Sequence, residues 1–202
     1  MSFHPTMPYA SSETHSSRRA LPDEGERFAF TPGNQARIEE IATHYPPERR
    51  RSVLLPALHI VQEQQGYVSA NAMREVAVLI GCTPAEVEDV VTYYSMYYTR
   101  PVGMYVLQVC RTLSCALVGA ERLTDTLSRT LGIKVGETDA TGTFTLVEVE
   151  CLGACDRGPV VMVNNHWAER VTPDTVDEFL ETLRTKGEAG LSGCHLEVER
   201  NT

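Results

Sequence analysis

Four cysteines in the second half of the chain form two close pairs, and this arrangement carries the clearest chemistry in the sequence. Four residues separate Cys110 from Cys115, and three separate Cys151 from Cys155. Thiolates from two loops are the donors that a tetrathiolate metal site needs, with each pair holding one side. The sequence therefore predicts that these four residues bind one metal centre.

The spacing within each pair bears on which metal is bound. Structural zinc sites most often use gaps of two residues, whose tight turns aim both thiolates at one ion. Both gaps here are longer, and a two-iron cluster offers one iron to each wider pair; plant-type ferredoxins also begin with a four-residue gap. The pattern favours a [2Fe–2S] cluster, and a zinc-stabilised interaction module without a redox role is the alternative.

Local features around the cysteines support an anionic cluster. Gly153 and Ala154 are small enough to let backbone N–H groups approach the cluster sulfurs. Cys115 is predicted to begin a helix, whose first N–H groups favour negative charge.

Other uses of the cysteines fit the sequence less well. The C-x-x-C motif of thiol-exchange proteins is absent from the sequence. The N-terminal segment has no apolar stretch typical of a secretory signal, so disulfides are not expected. We interpret Cys82, at a helix junction, as a small core residue and Cys194 as an exposed thiol in a polar tail.

The composition is that of a globular protein and argues against two classes of partner. The chain has 27 acidic and 18 basic residues, a net charge of −9, which disfavours binding to nucleic acid. No apolar stretch is long enough to span a membrane, so we expect no direct membrane insertion. Because the N-terminal segment does not resemble an export signal, we expect a cytoplasmic location.

Two halves with different periodicity lie between polar tails over 1–33 and 187–202, which we expect to be disordered or ordered by a partner. Residues 34–99 predict a bundle of four short amphipathic helices. Thr83 and Glu86 form the capping box of the fourth helix, and Pro56 predicts a kink in the second.

Residues 100–186 predict a small α/β domain. The pattern indicates strands over 104–109, 143–149 and 160–163, and a helix over 116–131. Asn164-Asn165 is a turn signal for a hairpin into Trp167, and a last helix begins at Thr172-Pro173. Each cysteine pair follows a predicted strand, so the two loops can converge.

Several motifs, in this order along the chain, resemble those of one family over about residues 34–186. It is the NADH dehydrogenase family formed by the small, thioredoxin-like [2Fe–2S] subunits of respiratory complex I, with relatives in NAD-reducing hydrogenases and NAD-dependent formate dehydrogenases. The motifs are Gln65-Gly66-Tyr67-Val68, Thr92-Tyr93-Tyr94-Ser95-Met96-Tyr97, Pro101-Val102-Gly103, Cys110-x4-Cys115 with Gly119-Ala120, Gly136-Glu137-Thr138 and Cys151-Leu152-Gly153-Ala154-Cys155.

The resemblance implies an α+β chain, an N-terminal helical bundle followed by a thioredoxin-like α/β ferredoxin domain. It makes Cys110, Cys115, Cys151 and Cys155 the iron ligands of one [2Fe–2S] cluster, with no catalytic residue in this chain.

The implied function is electron transfer within an NADH:quinone oxidoreductase, beside a partner subunit that binds FMN and NADH. The partner subunits would hold this chain at the cytoplasmic side of the inner membrane. An equivalent subunit of a formate dehydrogenase or a hydrogenase is the alternative. The sequence has neither a dinucleotide-binding glycine motif after a strand nor a P-loop, so we expect no NADH site in this chain.

Overall fold

Two separate hydrophobic cores organise residues 27–191, the part of the chain that the computed structural model describes. One compact unit ends at Pro101 and the other begins at Val102. Among the described residues, the regular elements of the first unit are all helices, and the second unit combines helices with a four-stranded sheet. The mixed content confirms the predicted α+β class.

Amphipathic helices build the first unit, and their apolar faces enclose its core. Leu58, Met73 and Val76 are among the side chains that are buried there. A 3₁₀ helix over Pro47–Val53 connects the first two helices. The α-helices are α1 (Pro32–Ala42), α2 (Leu54–Gln65), α3 (Ala70–Ile80) and α4 (Pro84–Tyr93).

Local signals set several of these helix ends. The capping box at α4 is confirmed: the Glu86 N–H donates to the Thr83 hydroxyl, and the Thr83 N–H donates to the Glu86 carboxylate. The kink predicted at Pro56 is wrong. Because α2 begins at Leu54, Pro56 lies in its first turn, where a backbone N–H has no partner within the helix.

The first unit begins earlier than the predicted end of the tail at residue 33. Phe28 and Phe30 meet edge to face with ring centroids 5.0 Å apart, and both pack against the first core. The Thr31 hydroxyl accepts a hydrogen bond from the Asn34 N–H and so caps α1. Two aromatic side chains and a capped helix start thus order this part of the predicted tail, whereas residues 1–26 lie outside the described range.

The second unit follows the predicted order of elements with one correction. The single helix predicted over 116–131 is two helices, because Gly119 has a left-handed φ of 105° that interrupts it. The elements are β1 (Tyr105–Cys110), α5 (Leu113–Leu117), α6 (Ala120–Leu131), β2 (Phe144–Val149), β3 (Val161–Val163), β4 (His166–Ala168) and α7 (Val176–Lys186).

The sheet has the order β2–β1–β3–β4, with β1 and β2 parallel and the other two pairings antiparallel. Tyr105 pairs with Phe144 at the start of the parallel ladder, and Cys110 pairs with Val149 at its end. The α6 helix packs on β1 and β2, and α7 packs beside α6. The parallel pairing therefore brings the carboxyl ends of β1 and β2 to the same edge of the sheet.

A polar tail was expected from residue 187 onward. The structure instead keeps residues 187–191 packed against the second unit. Gly187–Gly190 forms a 3₁₀ turn, and Leu191 packs against the second core. The Glu188 carboxylate lies 2.7 Å from Nδ1 of His166 and also accepts a hydrogen bond from the Asn164 amide. Cys194 lies outside the described residues. Within residues 27–191, no helix has both the length and the apolar character to cross a membrane.

Gly103, just before β1, leaves no room for a side chain. A Cβ at this position would lie 2.9 Å from backbone atoms of Thr143 and Phe144, which is closer than non-bonded atoms normally approach. The Gly103 N–H also donates a 2.6 Å hydrogen bond to the Thr145 hydroxyl. The entry to β1 is therefore held tightly against the entry to β2.

Gly103→Ala is expected to lower the free energy of unfolding of the second unit by about 1–3 kcal/mol, because packed backbone must move. Trp167 is the only tryptophan in the chain and packs against the second core, so its fluorescence during urea denaturation reports this unit. Met104→Ala is the control: its side chain is 68% exposed, and we expect a change below about 0.5 kcal/mol. Equal unfolding midpoints for the two variants would refute the steric argument.

Candidate metal centre

The edge of the sheet where β1 and β2 end carries both cysteine loops. Cys110 is the last residue of β1, and Cys151 follows the end of β2 by two residues. The Arg111 N–H donates to the Val149 carbonyl, so the parallel ladder continues into the first loop. The predicted convergence of the loops after neighbouring strands is therefore a result of the sheet register.

The first cysteine pair is buried. The side chains of Cys110 and Cys115 are each 2% exposed and lie within hydrogen-bonding reach of each other. The expectation that Cys115 begins a helix is wrong, because α5 begins two residues earlier, at Leu113. Burial, rather than a position at the start of a helix, is the feature that distinguishes this pair from Cys151 and Cys155.

The second cysteine pair is exposed. The sulfurs of Cys151 and Cys155 are 3.7 Å apart. Gly153 has a left-handed φ of 80°, and its N–H donates to the Cys151 sulfur at 3.4 Å. The predicted approach of a backbone N–H at Gly153 is thereby confirmed, and it supplies a donor for a negatively charged sulfur.

Hydrogen-bond donors and neighbouring thiols shift the acidity of three of the cysteines in different directions. Burial opposes ionisation of Cys110, but N–H groups of Thr112 and Leu152 and the Thr112 hydroxyl outweigh it and lower its pKa. Burial and the charge of Cys110 raise the pKa of Cys115. The pKa of Cys155 is raised by its hydrogen bond to Cys151 and the charge there.

Mutual repulsion means that the four thiolates need a cationic centre to be ionised together. Cys115 and Cys155 each respond to the charge of Cys110, so the two pairs share one electrostatic neighbourhood. Within residues 27–191, no three Cys, His, Asp or Glu side chains converge as ligands of a single metal ion. Two pairs of sulfurs are the donor set of a two-iron cluster, in which each iron takes two thiolates.

Comparison with known families agrees with this donor set. Residues 38–184 match the model of a family described as thioredoxin-like [2Fe-2S] ferredoxin. The chain belongs to this family. The match runs from within α1 through the other helices of the first unit and the sheet, and the [2Fe–2S] cluster is the cofactor of the family.

Several relatives of this ferredoxin-family chain are named as subunits of NADH-quinone oxidoreductase. The chain is 44% identical over 158 residues to NADH-quinone oxidoreductase subunit 2 of Thermus thermophilus, an alignment that covers 78% of this chain and 87% of the relative. It is 40% identical to an NADH-quinone oxidoreductase subunit of Rhizobium meliloti, over 73% of this chain and 86% of the relative. An NADH-quinone oxidoreductase subunit of Mycobacterium tuberculosis is also 40% identical, but this chain spans only 65% of its length.

A solved structure supports the fold of this family member. The air-oxidized NAD+-reducing [NiFe]-hydrogenase superposes with a TM-score of 0.57 and 21% identity. The superposition covers 66% of this chain and 23% of the hydrogenase chain.

Two arginines next to the cysteines have acidic partners. Arg111 lies 2.8 Å from the Glu150 carboxylate, and Arg157 lies 2.9 Å from that of Glu169. The glutamates offset the charge of both guanidinium groups at the rim of this ferredoxin site. Exposed pairs of this kind contribute little to stability.

Sequence reasoning missed the hydroxyl groups of the first loop. Thr112 and Ser114 lie between Cys110 and Cys115, and each has its hydroxyl within reach of a thiol. The sequence feature that could have revealed them is the presence of two hydroxyl residues between Cys110 and Cys115. The fifth described cysteine, Cys82, which we interpret from the sequence as a core residue, is half-buried and packs against the core of the first unit from its margin.

Proposed function

We propose that this chain is an electron-transfer subunit of an NADH:quinone oxidoreductase. The main observation that supports this proposal is the set of two thiol pairs at one edge of the sheet, surrounded by hydrogen-bond donors to sulfur. When bound, a [2Fe–2S] cluster accepts and releases one electron at a time. Relatives named as NADH-quinone oxidoreductase subunits, at 40–44% identity, support the choice of complex.

In this proposal, each cysteine pair provides the ligands of one of the two irons. Cys110 and Cys115 would hold one iron, and Cys151 and Cys155 would hold the other. Burial of the first pair keeps water away from its sulfurs, whereas the exposed pair leaves one side of the site open to a partner. The N–H of Gly153 stabilises negative charge on Cys151.

Oxidation of NADH requires a second subunit in this proposal. The sequence has no dinucleotide-binding motif, so hydride transfer belongs to a partner that binds FMN and NADH, with this chain beside the flavin. Partner subunits also provide the attachment to the cytoplasmic side of the inner membrane. The hydrogenase superposition favours, as a second candidate, the equivalent subunit of an NAD-reducing hydrogenase.

Metal analysis of the full chain, purified without oxygen, tests the cofactor. We expect about two irons and two acid-labile sulfides per chain and an EPR signal after reduction with dithionite. A colourless, EPR-silent protein loaded with zinc would instead support an interaction module. Co-purification from native membranes tests the complex: quinone-site and membrane subunits support the first candidate, and a nickel–iron subunit supports the second.

A further inference from the structure

Two hydroxyl groups of the first cysteine loop contact thiol sulfurs. As a thiol, Cys110 donates to Oγ1 of Thr112, and its sulfur lies 3.7 Å from that oxygen. The hydroxyl of Ser114 is within hydrogen-bonding reach of Cys155. Thr112 is half-buried and Ser114 is exposed. Ser114 therefore extends from one cysteine loop to a sulfur of the other.

The direction of these hydrogen bonds depends on the state of the sulfur. A thiol can donate its proton to a hydroxyl, but a thiolate that binds metal has no proton to donate. The hydroxyl must then be the donor. A donor favours the state with more negative charge on the sulfur. Reduction of a metal centre adds one negative charge, so an O–H···S hydrogen bond stabilises the reduced state more than the oxidised state.

We propose that the hydroxyls of Thr112 and Ser114 are positioning residues that raise the reduction potential of the [2Fe–2S] cluster, through hydrogen bonds to Cys110 and Cys155. The inference rests on the ligand set of the proposed function. Backbone N–H groups near Cys110 contribute as well, but any residue other than proline would supply them. The hydroxyls are properties of these particular side chains. Thr112 has the larger effect, because water can replace the exposed Ser114 hydroxyl more readily.

Redox titration of the full, cluster-loaded chain tests the proposal. Thr112→Val replaces the hydroxyl by a methyl group of the same shape, and we expect a roughly tenfold lower equilibrium constant for one-electron reduction, about 59 mV in midpoint potential. Thr112→Ser retains the donor and should restore a potential near that of the unmodified protein. Ser114→Ala should shift the potential in the same direction by less. The shift of Fe–S Raman bands in D₂O should diminish in Thr112→Val.

Thr185→Val is the matched control, because the Thr185 hydroxyl donates to the Glu181 carbonyl within α7. Its potential should equal that of the unmodified chain. An unchanged potential in Thr112→Val, or an equal shift in Thr112→Ser, would overturn the proposal. If Thr112→Val holds no cluster, Ser114→Ala provides the test with the same expected sign. An unmodified chain without iron and sulfide would contradict the proposed function itself.

Discussion

Cys151→Ser is expected to lose most of the cluster. Cys151 is exposed, so the substitution costs little packing, and the unit can keep its core. The effect falls on ligation: a serine hydroxyl is a harder donor than a thiolate, and iron–sulfur clusters rely on thiolates. Even changes to residues that only orient metal ligands cost about 10–100-fold in affinity. Loss of a ligand should therefore exceed that range.

Iron and sulfide per chain, together with visible absorption, measure this effect. Cys82→Ser is the matched control, because the same change is made in the first unit, where Cys82 packs against a helical core. It should keep the full cluster content. Equal cluster content in the two variants would refute the assignment of Cys151 as a ligand. Fluorescence of Trp167 distinguishes cluster loss from unfolding of the second unit.

Leu107→Ala is expected to lower the free energy of unfolding of the second unit by about 2–5 kcal/mol. Leu107 lies in β1, between β2 and β3 in the sheet, and its side chain is fully buried. Truncation removes apolar contacts and leaves a cavity that neighbouring strands fill only in part. An effect of this size approaches the whole stability of a small unit.

Leu117→Ala is the matched control for this prediction. It removes the same atoms from a side chain that is 78% exposed on α5. We expect a change below about 0.5 kcal/mol. Urea denaturation of the cluster-loaded protein, followed by Trp167 fluorescence, compares the two variants. A Leu107→Ala midpoint close to that of Leu117→Ala would show that burial in β1 does not stabilise the unit.

Local chemistry explains which elements the sequence could predict. The capping box of Thr83 and Glu86 acts within one turn, so it is visible in four residues. The break at Gly119 is different, because the apolar periodicity continues across it and a glycine inside a helix costs only about 1 kcal/mol. The order beyond residue 187 depends on Glu188 and Leu191, whose partners are distant in sequence.

The same distinction applies to the candidate site. Cysteine spacing predicted two pairs after two strands, since side-chain type and spacing are local. Cys110 is buried whereas Cys151 is exposed, and this difference depends on tertiary packing. So does the reach of the Ser114 hydroxyl to Cys155, since those residues belong to different loops. Both the difference in burial and the contact between Ser114 and Cys155 depend on how β1 and β2 pair in the sheet.

The parallel pairing of β1 with β2 also orders events during synthesis. The chain between these strands contains α5 and α6, so the first cysteine pair leaves the ribosome well before the second. Pairing of strands that are distant in sequence is slow, because a long loop must close first. The helical first unit relies on nearer contacts and can fold while the rest of the chain is still being made. A metal centre that takes ligands from both pairs, as proposed above, can be completed only after the sheet has brought the second pair of sulfurs to the first.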